Sequence, residues 1–441
     1  MAKQGKPSGK NITGWKATIA VAMANYIEAG SIIAAASSLT LWQTFLGIDS
    51  IGIGLLSALS ANAFGAAIGA LLGGPLTDKF GRKVIFKYDL LAYMIGILLL
   101  AGSVNFPMLL IGTVITGIAV GAGVPVSWTY IAEESPENKR AAHVGTAQLA
   151  WSIGPMITFV LAVLLAPLGL LGSRLIFIHL FIIAFITWYI RQGLSESKIW
   201  SEQKEKEKRD LHLGKEKSAS IKELFSLKVN RQALFLLLGI YLFWNLTSGA
   251  MGYFMPYIYE NVGGLSTQQA NLLQAFLWMF TVLTTFFVFM KLTDKYSQRF
   301  LFGLGAAMGV VAWLILTFMP MTWPTLLLFV ILWGSAAGFG AQAFYALWTS
   351  ELFPTRYRAS AQGFMYFLVR MGIGVWSFIL PTLMLELGFQ VAGILMISFL
   401  VIHMIIGIAF APKTQGKTLK QIEKERYGEI NEIDNKEIIS R

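Results

Sequence analysis

The chain has 441 residues, of which 55% are hydrophobic and only 13% charged, with a formal net charge of +11 and no cysteine. Soluble domains carry roughly 25% charged residues, so a chain of this length with so little polar surface reads as a membrane protein rather than as two or three soluble domains. The lack of cysteine excludes disulfides and thiolate chemistry.

The opening stretch MAKQGKPSGKNITGWK is polar and basic. The apolar run behind it outlasts a signal peptide and has no clear cleavage site, so a retained first helix is expected. A helix needs about 20 apolar residues to cross a hydrocarbon core of roughly 30 Å. Twelve such segments follow, near 16–40, 51–76, 84–104, 107–131, 142–168, 172–191, 232–259, 268–291, 300–319, 323–350, 359–385 and 388–411. The expected fold class is therefore an all-α membrane protein with twelve transmembrane helices. Small residues recur at three- and four-residue spacing in ANAFGAAIGALLGG (61–74) and GTVITGIAVGAG (112–123), a pattern that lets helices approach closely in lipid.

The connections after the second, fourth, sixth, eighth and tenth helices carry Lys79, Arg82, Lys83, Lys139, Arg140, Lys295, Arg299, Arg356 and Arg358, plus the basic run from Lys198 to Arg231. The opposite loops hold Asp49, Glu260 and Glu386, with Arg174 as their clear basic residue. Lysine and arginine concentrate on the cytoplasmic side, so both termini are expected in the cytoplasm. The positive charge then reports topology, or an anionic lipid surface, and no nucleic-acid partner is expected.

The longest polar stretch, 192–231, divides the helices six and six. The expected organisation is an N-terminal bundle (1–191), a cytoplasmic linker (192–231) whose core SEQKEKEKRD is a solvated helix, a C-terminal bundle (232–411) and a cytoplasmic tail (412–441). The halves carry traces of a duplication. Asp78 and Asp294 lie 216 positions apart, and Glu133, Pro136 and Arg140 recur as Glu351, Pro354 and Arg358 at an offset of 218. In the turn after the second helix, Gly81 permits the reversal while Arg82 and Lys83 stay in cytoplasmic water. Asp78 is expected to pair with those cations or to face a neighbouring helix N-terminus. Asp78, Arg82, Lys83, Glu133, Arg140, Asp294, Arg299, Glu351 and Arg358 are the candidate gating charges, forming pairs in one state and breaking them in another.

At these residues the chain resembles the major facilitator superfamily. Gly74-x-x-x-Asp78-Lys79-x-Gly81-Arg82-Lys83 matches that family's signature loop, and the copy at 294–299 keeps the aspartate and an arginine. RQGLSESKIW (191–200) is similar to the segment after helix six of sugar-porter members, and PKTQGKTL (412–419) to their tail. The resemblance implies a secondary transporter working by alternating access. Gln148 matches a substrate-contacting glutamine of that branch. Thr113 stands where a helix-four arginine is usual, YLFWNLTSG (241–249) lacks the paired glutamines, and Ala346 replaces a tryptophan. These departures point away from hexoses and leave a polyol such as inositol, or another small metabolite.

Two ionisable residues fall inside the membrane. Glu28 lies 12 residues beyond Lys16, about 18 Å along a helix, near the midplane. Function is the default reading of such a group, and the resemblance matches it to a helix-one acid used for proton coupling; a structural acid bound to amides is the alternative. Arg370, 12 residues past Arg358, reaches similar depth. RMGIGVWSFILP (370–381) resembles a pattern of organic-ion members, so Arg370 has three readings: a receptor for a carboxylate substrate, a counter-ion to Glu28, or a donor to carbonyls of a kinked helix. Asn25, Gln148, Trp151, Asn245, Gln274, Trp278, Gln342 and Tyr345 lie in the same slab. Amides together with flat aromatic faces suit a hydroxyl-rich ligand, although each residue alone is equally a helix-packing group. His179 and His403 are expected to be structural.

The expected function is proton-coupled uptake of a small molecule, a sugar or polyol, across the plasma membrane by a monomer. The alternative is symport of a small organic anion. An integral membrane enzyme is disfavoured, because the four histidines have no ligand spacing, and neither metal nor cofactor is expected. No G-x-x-x-x-G-K loop occurs to support ATP-driven pumping.

Overall fold

The structure is a computed structural model that describes residues 12–48, 50–136, 139–212, 221–355 and 358–428; Asp49 and Arg356 of the expected loops lie outside them. Among the described residues are twelve helices long and apolar enough to cross a membrane. The N-terminal half comprises α1 (Gly14–Leu46), α2 (Ser50–Leu59), α3 (Phe64–Phe80), α4 (Arg82–Ala101), α5 (Phe106–Glu134), α6 (Arg140–Leu165) and α7 (Leu170–Arg191). The linker forms α8 (Lys198–His212), the charged helix expected there, and α9 (Ile221–Ser226). The C-terminal half comprises α10 (Lys228–Asn261), α11 (Thr267–Thr284), α12 (Met290–Leu292), α13 (Gln298–Phe318), α14 (Trp323–Gly338), α15 (Ala341–Leu352) and α16 (Arg358–Phe410). A π-helical turn at Thr285–Phe289 joins α11 to α12. The last run reverses at Gly388, whose φ of 82° only glycine adopts without strain.

Within the first half α1 packs on α6 and α7, and α4 on α5 and α7; within the second α10 packs on α16, and α11 and α13 on α14. The halves meet along two seams, α3 against α16 and α6 against α11. Small residues set the closest approaches. A β-carbon on Gly73 of α3 would lie 2.7 Å from the Ala122 Cα of α5, and one on Gly74 the same distance from the Ala359 carbonyl of α16. Such spacing trades side-chain volume for backbone contact, the source of helix association where lipid removes the hydrophobic drive.

Two expected helices are broken. The second, read as one run over 51–76, is interrupted at Ser60–Ala63. The Ser60 hydroxyl donates back to the Ser57 carbonyl (2.8 Å) and also accepts from the Asn62 N–H (3.1 Å). This local bonding competes with the helical ladder. The tenth breaks at Phe339 and Gly340 between α14 and α15. Opposite that break, Thr281, Thr284 and Thr285 donate to the carbonyls of Gly334, Ser335 and Gly338 at 2.8–3.1 Å, beside the π turn. Irregular backbone at this depth survives only where protein satisfies it.

Candidate functional site

The loops carrying most of the basic residues share one face, here the basic face, with the first and last described segments: Ile12 bridges to Leu194, and Arg140 Nη1 donates to the Lys417 carbonyl at 3.3 Å. Charged residues lock the halves together there. Arg82 reaches Glu133 through two hydrogen bonds, Nε to Oε2 at 3.2 Å and Nη2 to Oε1 at 2.9 Å. Arg358 of the other half donates to the same Oε1 at 3.1 Å. The reciprocal pair joins Arg140 of the first half to Glu351 of the second at 3.1 Å. The 218-residue repeat has thus become a pair of crossed bridges, Glu133–Arg358 and Arg140–Glu351. Asp78 takes both expected partners: Arg82 at 3.5 Å and the first turn of α16, where Ser360 donates its N–H (2.8 Å) and hydroxyl (2.7 Å). Asp294 repeats the device at the start of α6, accepting from the Ala141 N–H at 3.3 Å. Burial pushes the Asp294 carboxyl above the usual carboxylate range.

Three gating expectations need correction. Arg82 does not stay in water: its side chain is fully buried. Its aliphatic stem and planar fork sit between two carboxylates, which offset the desolvation cost. Arg299 is exposed and has no ion pair among the described residues. The position 216 residues beyond Arg82 is Gln298, which is buried and accepts from Trp348 Nε1 at 2.7 Å. At the position matching Arg82 the second copy thus buries an amide instead of a cation. Lys83 is exposed; only its backbone N–H takes part, donating to Glu196 Oε2 at 3.0 Å, while the Arg82 N–H donates to Oε1 at 3.0 Å. Glu196, which the sequence did not single out as a site residue, caps α4.

Deeper between the halves, Glu28 on α1 forms an ion pair with Arg370 on α16 through Oε1 and Nη2, and Tyr366 donates its hydroxyl to the same Oε1. Arg370 Nη1 donates to the Asn62 side-chain oxygen at 2.8 Å and to its carbonyl at 3.3 Å. The break between α2 and α3 supplies that carbonyl. Arg370 is thus both counter-ion and carbonyl donor, two of its three expected readings. Its guanidinium also lies 4.6 Å from the Tyr366 ring centre. Asn62 Nδ2 donates across the halves to the Gly249 carbonyl at 3.2 Å, on the far side of Glu28 from the basic face. A dense set of ion pairs closes one side of the centre; on the other, among the described residues, the halves are joined by this amide bond.

Most of the expected ligand residues gather around this pair. Trp151 lies against Glu28 and meets Trp278 of the other half edge to face at 5.1 Å. Gln148 Nε2 makes only a long contact, 3.4 Å, to the Ala337 carbonyl beside the α14–α15 break. Tyr345 stacks on Tyr241 at 3.9 Å and meets the Trp128 edge at 5.8 Å. Asn245 donates to its own helix at the Tyr241 carbonyl, 2.8 Å away, and Gln274 and Gln342 are buried. Trp278 Nε1 is buried without a hydrogen-bond partner, while the Trp151 indole faces Glu28, Gln274 faces Tyr259 and the Tyr345 hydroxyl faces Thr349.

Asn25 does not belong to that set. Its amide donates to Ser127 Oγ (3.1 Å) and its oxygen accepts from Trp128 Nε1 (2.8 Å), which fully commits it to tying α1 to α5. Sequence reading missed Tyr366, Asn62, Trp128 and Tyr241. Tyr366 had a signal, lying four residues before Arg370 and hence on its helical face; Asn62 had none, because its role depends on a helix break. The histidines are structural as expected: His179 Nε2 pairs with the Tyr26 hydroxyl at 2.8 Å, and His403 is buried with Nδ1 2.6 Å from the Leu400 carbonyl.

Two duplicated six-helix bundles, latched on one face around a buried ionisable centre, are the construction of a membrane transporter whose halves rock about a central site. The chain belongs to the major facilitator superfamily, whose family model matches residues 17–377 and again 246–432; it is a transporter, not an enzyme. It is 46% identical over 417 residues to the minor myo-inositol transporter IolF of Bacillus subtilis, covering 94% of each chain. It is 27% identical to the 4-hydroxybenzoate transporter PcaK of Acinetobacter baylyi, covering 75% of this chain and 76% of that one. Among solved structures, the proton:xylose symporter XylE superposes with a TM-score of 0.78 at 18% identity, covering 93% of this chain and 98% of the other. At that identity the likeness speaks to the fold.

Proposed function

We infer that the protein is a secondary active transporter of the plasma membrane that takes up a polyol, myo-inositol foremost, together with protons. The observation that carries this reading is the Glu28–Arg370 pair, buried at the interface of the halves beside buried indole, amide and phenol side chains. The 46% identity to a myo-inositol transporter supports the substrate class, and the likeness to a proton:xylose symporter supports the architecture through which coupling would act.

The lysine and arginine asymmetry of the loops orients the basic face toward the cytoplasm. Glu28 loads a proton from the outer side, which frees Arg370 from its counter-ion and lets the two halves move. Release of the proton on the inner side restores the pair. Gln148, Gln274, Asn245 and Gln342 supply amides to the ligand's hydroxyls, and Trp151, Trp278 and Tyr345 supply flat faces. The crossed bridges Glu133–Arg358 and Arg140–Glu351, with Asp78 on α16 and Asp294 on α6, hold the basic face shut in one state and part in the other. Every one of these groups comes from one chain, so a monomer suffices.

The organic-anion reading would place a substrate carboxylate on Arg370 once protonation of Glu28 has freed it. The test is uptake of myo-inositol, xylose and 4-hydroxybenzoate by the purified protein in vesicles, with and without an imposed proton gradient. Gradient-driven accumulation of myo-inositol is expected, with Gln148→Ala costing roughly 1–3 kcal/mol of affinity for the stranded hydroxyls. Binding of the acid alone, abolished by Arg370→Lys because lysine lacks the bidentate fork, would establish the other class.

A further inference from the structure

A second site lies away from the membrane centre. A cavity of about 520 Å³ opens where the start of α10, the end of α16 and the C-terminal segment meet, within the roughly 300–1,000 Å³ of ligand pockets. Its polar end holds Lys228, Arg231 and Arg426, and its apolar end holds Phe235 and Phe410. Those two phenylalanines are 59% and 58% exposed and meet edge to face at 5.9 Å, so they form a wall open toward the acyl region of a bilayer. Arg231 and Phe235 are four residues apart on α10 and share one face.

Flanking cations at a helix start would by themselves be ordinary topogenic residues. What sets this place apart is Arg426, which comes from the far end of the chain. It is anchored by Nη2 to the Val229 carbonyl at 3.1 Å, and the neighbouring Tyr427 hydroxyl donates to Asn230 at 2.6 Å and to the Leu352 carbonyl at 3.2 Å. The tail is thereby held so that a third guanidinium completes the pocket, and Arg426 Nε is buried without a partner. None of the three cations has an ion pair among the described residues, whereas the nearby Lys417 is paired with Glu425 at 2.5 Å. Three unpaired cations at the level of the α10 N-terminus, whose dipole also favours negative charge, stand directly over an apolar, lipid-facing wall.

We propose that this pocket binds an anionic phospholipid, its phosphate held by Lys228, Arg231 and Arg426 and its acyl chains lying against Phe235 and Phe410. The bound lipid bridges the start of the second half to the tail, and the tail in turn contacts the Arg140 bridge through the Lys417 carbonyl.

Native mass spectrometry of the full chain, released from bilayers containing phosphatidylglycerol and phosphatidylcholine, tests the assignment. Wild type is expected to retain phosphatidylglycerol preferentially, and Lys228→Gln/Arg231→Gln, both exposed positions, to retain it roughly 30-fold less, since each cation near an anionic surface contributes comparably. Circular dichroism of the variant checks that it folds, and the single variant Arg231→Gln gives an independent, smaller loss. Equal retention of the two lipids, or unchanged retention in both variants, overturns the proposal. Displacement of the lipid by millimolar inorganic phosphate as effectively as by short-chain phosphatidylglycerol assigns the pocket to a soluble anion and overturns it too.

Discussion

Asp78 and Ser360, from opposite halves of the molecule, are joined by two hydrogen bonds to a single carboxylate oxygen, one from the backbone N–H at 2.8 Å and one from the hydroxyl at 2.7 Å. Asp294 makes the counterpart contact at α6, accepting from the Ala141 N–H at 3.3 Å. Each aspartate caps the helix of the other half that follows a Glu…Pro…Arg turn. With the basic face closed, two helix N-termini are satisfied by carboxylates of the opposite half.

Replacing Asp78 with asparagine keeps the shape and removes the charge. Charge-assisted hydrogen bonds contribute about 1.5–3 kcal/mol, so the closed basic face should lose that much relative to the open one. Transport is expected to fall while membrane insertion stays normal, because the topogenic cations remain. The chain has no cysteine, so Ser350→Cys, buried beside Glu351, gives a clean reporter. Its labelling by maleimide should rise in Asp78→Asn, and normal labelling with normal transport would reduce the motif to a turn.

Arg140→Glu and Glu351→Arg each leave like charges buried together. Breaking a buried pair costs roughly 3–5 kcal/mol, so either single variant should favour the open basic face and melt at lower temperature. The exchanged double variant restores opposite charges at the observed 3.1 Å and is expected to recover part of both properties. A double variant no better than the worse single one would show that the bridge does not set the closed state.

Glu28→Gln removes the titratable carboxyl and leaves a polar side chain of the same size. Uphill uptake driven by a proton gradient should disappear, while exchange of labelled for unlabelled substrate continues. Accumulation against a gradient at the wild-type level would exclude Glu28 as the coupling group.

Tyr366→Phe takes away the hydroxyl shared by Glu28 and Arg370 without changing the ring over which the guanidinium lies. The cost should be about 1–3 kcal/mol for leaving buried charged groups short of one bond. Its signature is a displaced pH dependence of uptake with substrate exchange preserved. An unchanged pH profile would make the tyrosine a packing residue.

Hydropathy and repeat spacing alone determined the twelve helices, their division into halves, and the reciprocal glutamate and arginine positions of the latch. These are legible because bilayer thickness imposes a length on every apolar run and a duplicated chain keeps its offsets. Asp78 facing a helix N-terminus followed from the same local chemistry. Tertiary structure decided the rest. Arg82 is buried because Glu133, 51 residues away, arrives beside it, and no local window registers that desolvation. Gln298, rather than Arg299, is the residue buried at the position matching Arg82, because the packing of α13 buries one of the two neighbours and exposes the other. Asn62 meets Arg370 only because Ser60 diverts the second helix, and Arg426 becomes part of a pocket only because Tyr427 pins the tail to α10. Each depends on which distant groups satisfy a buried polar atom, and that is settled only when the two halves dock.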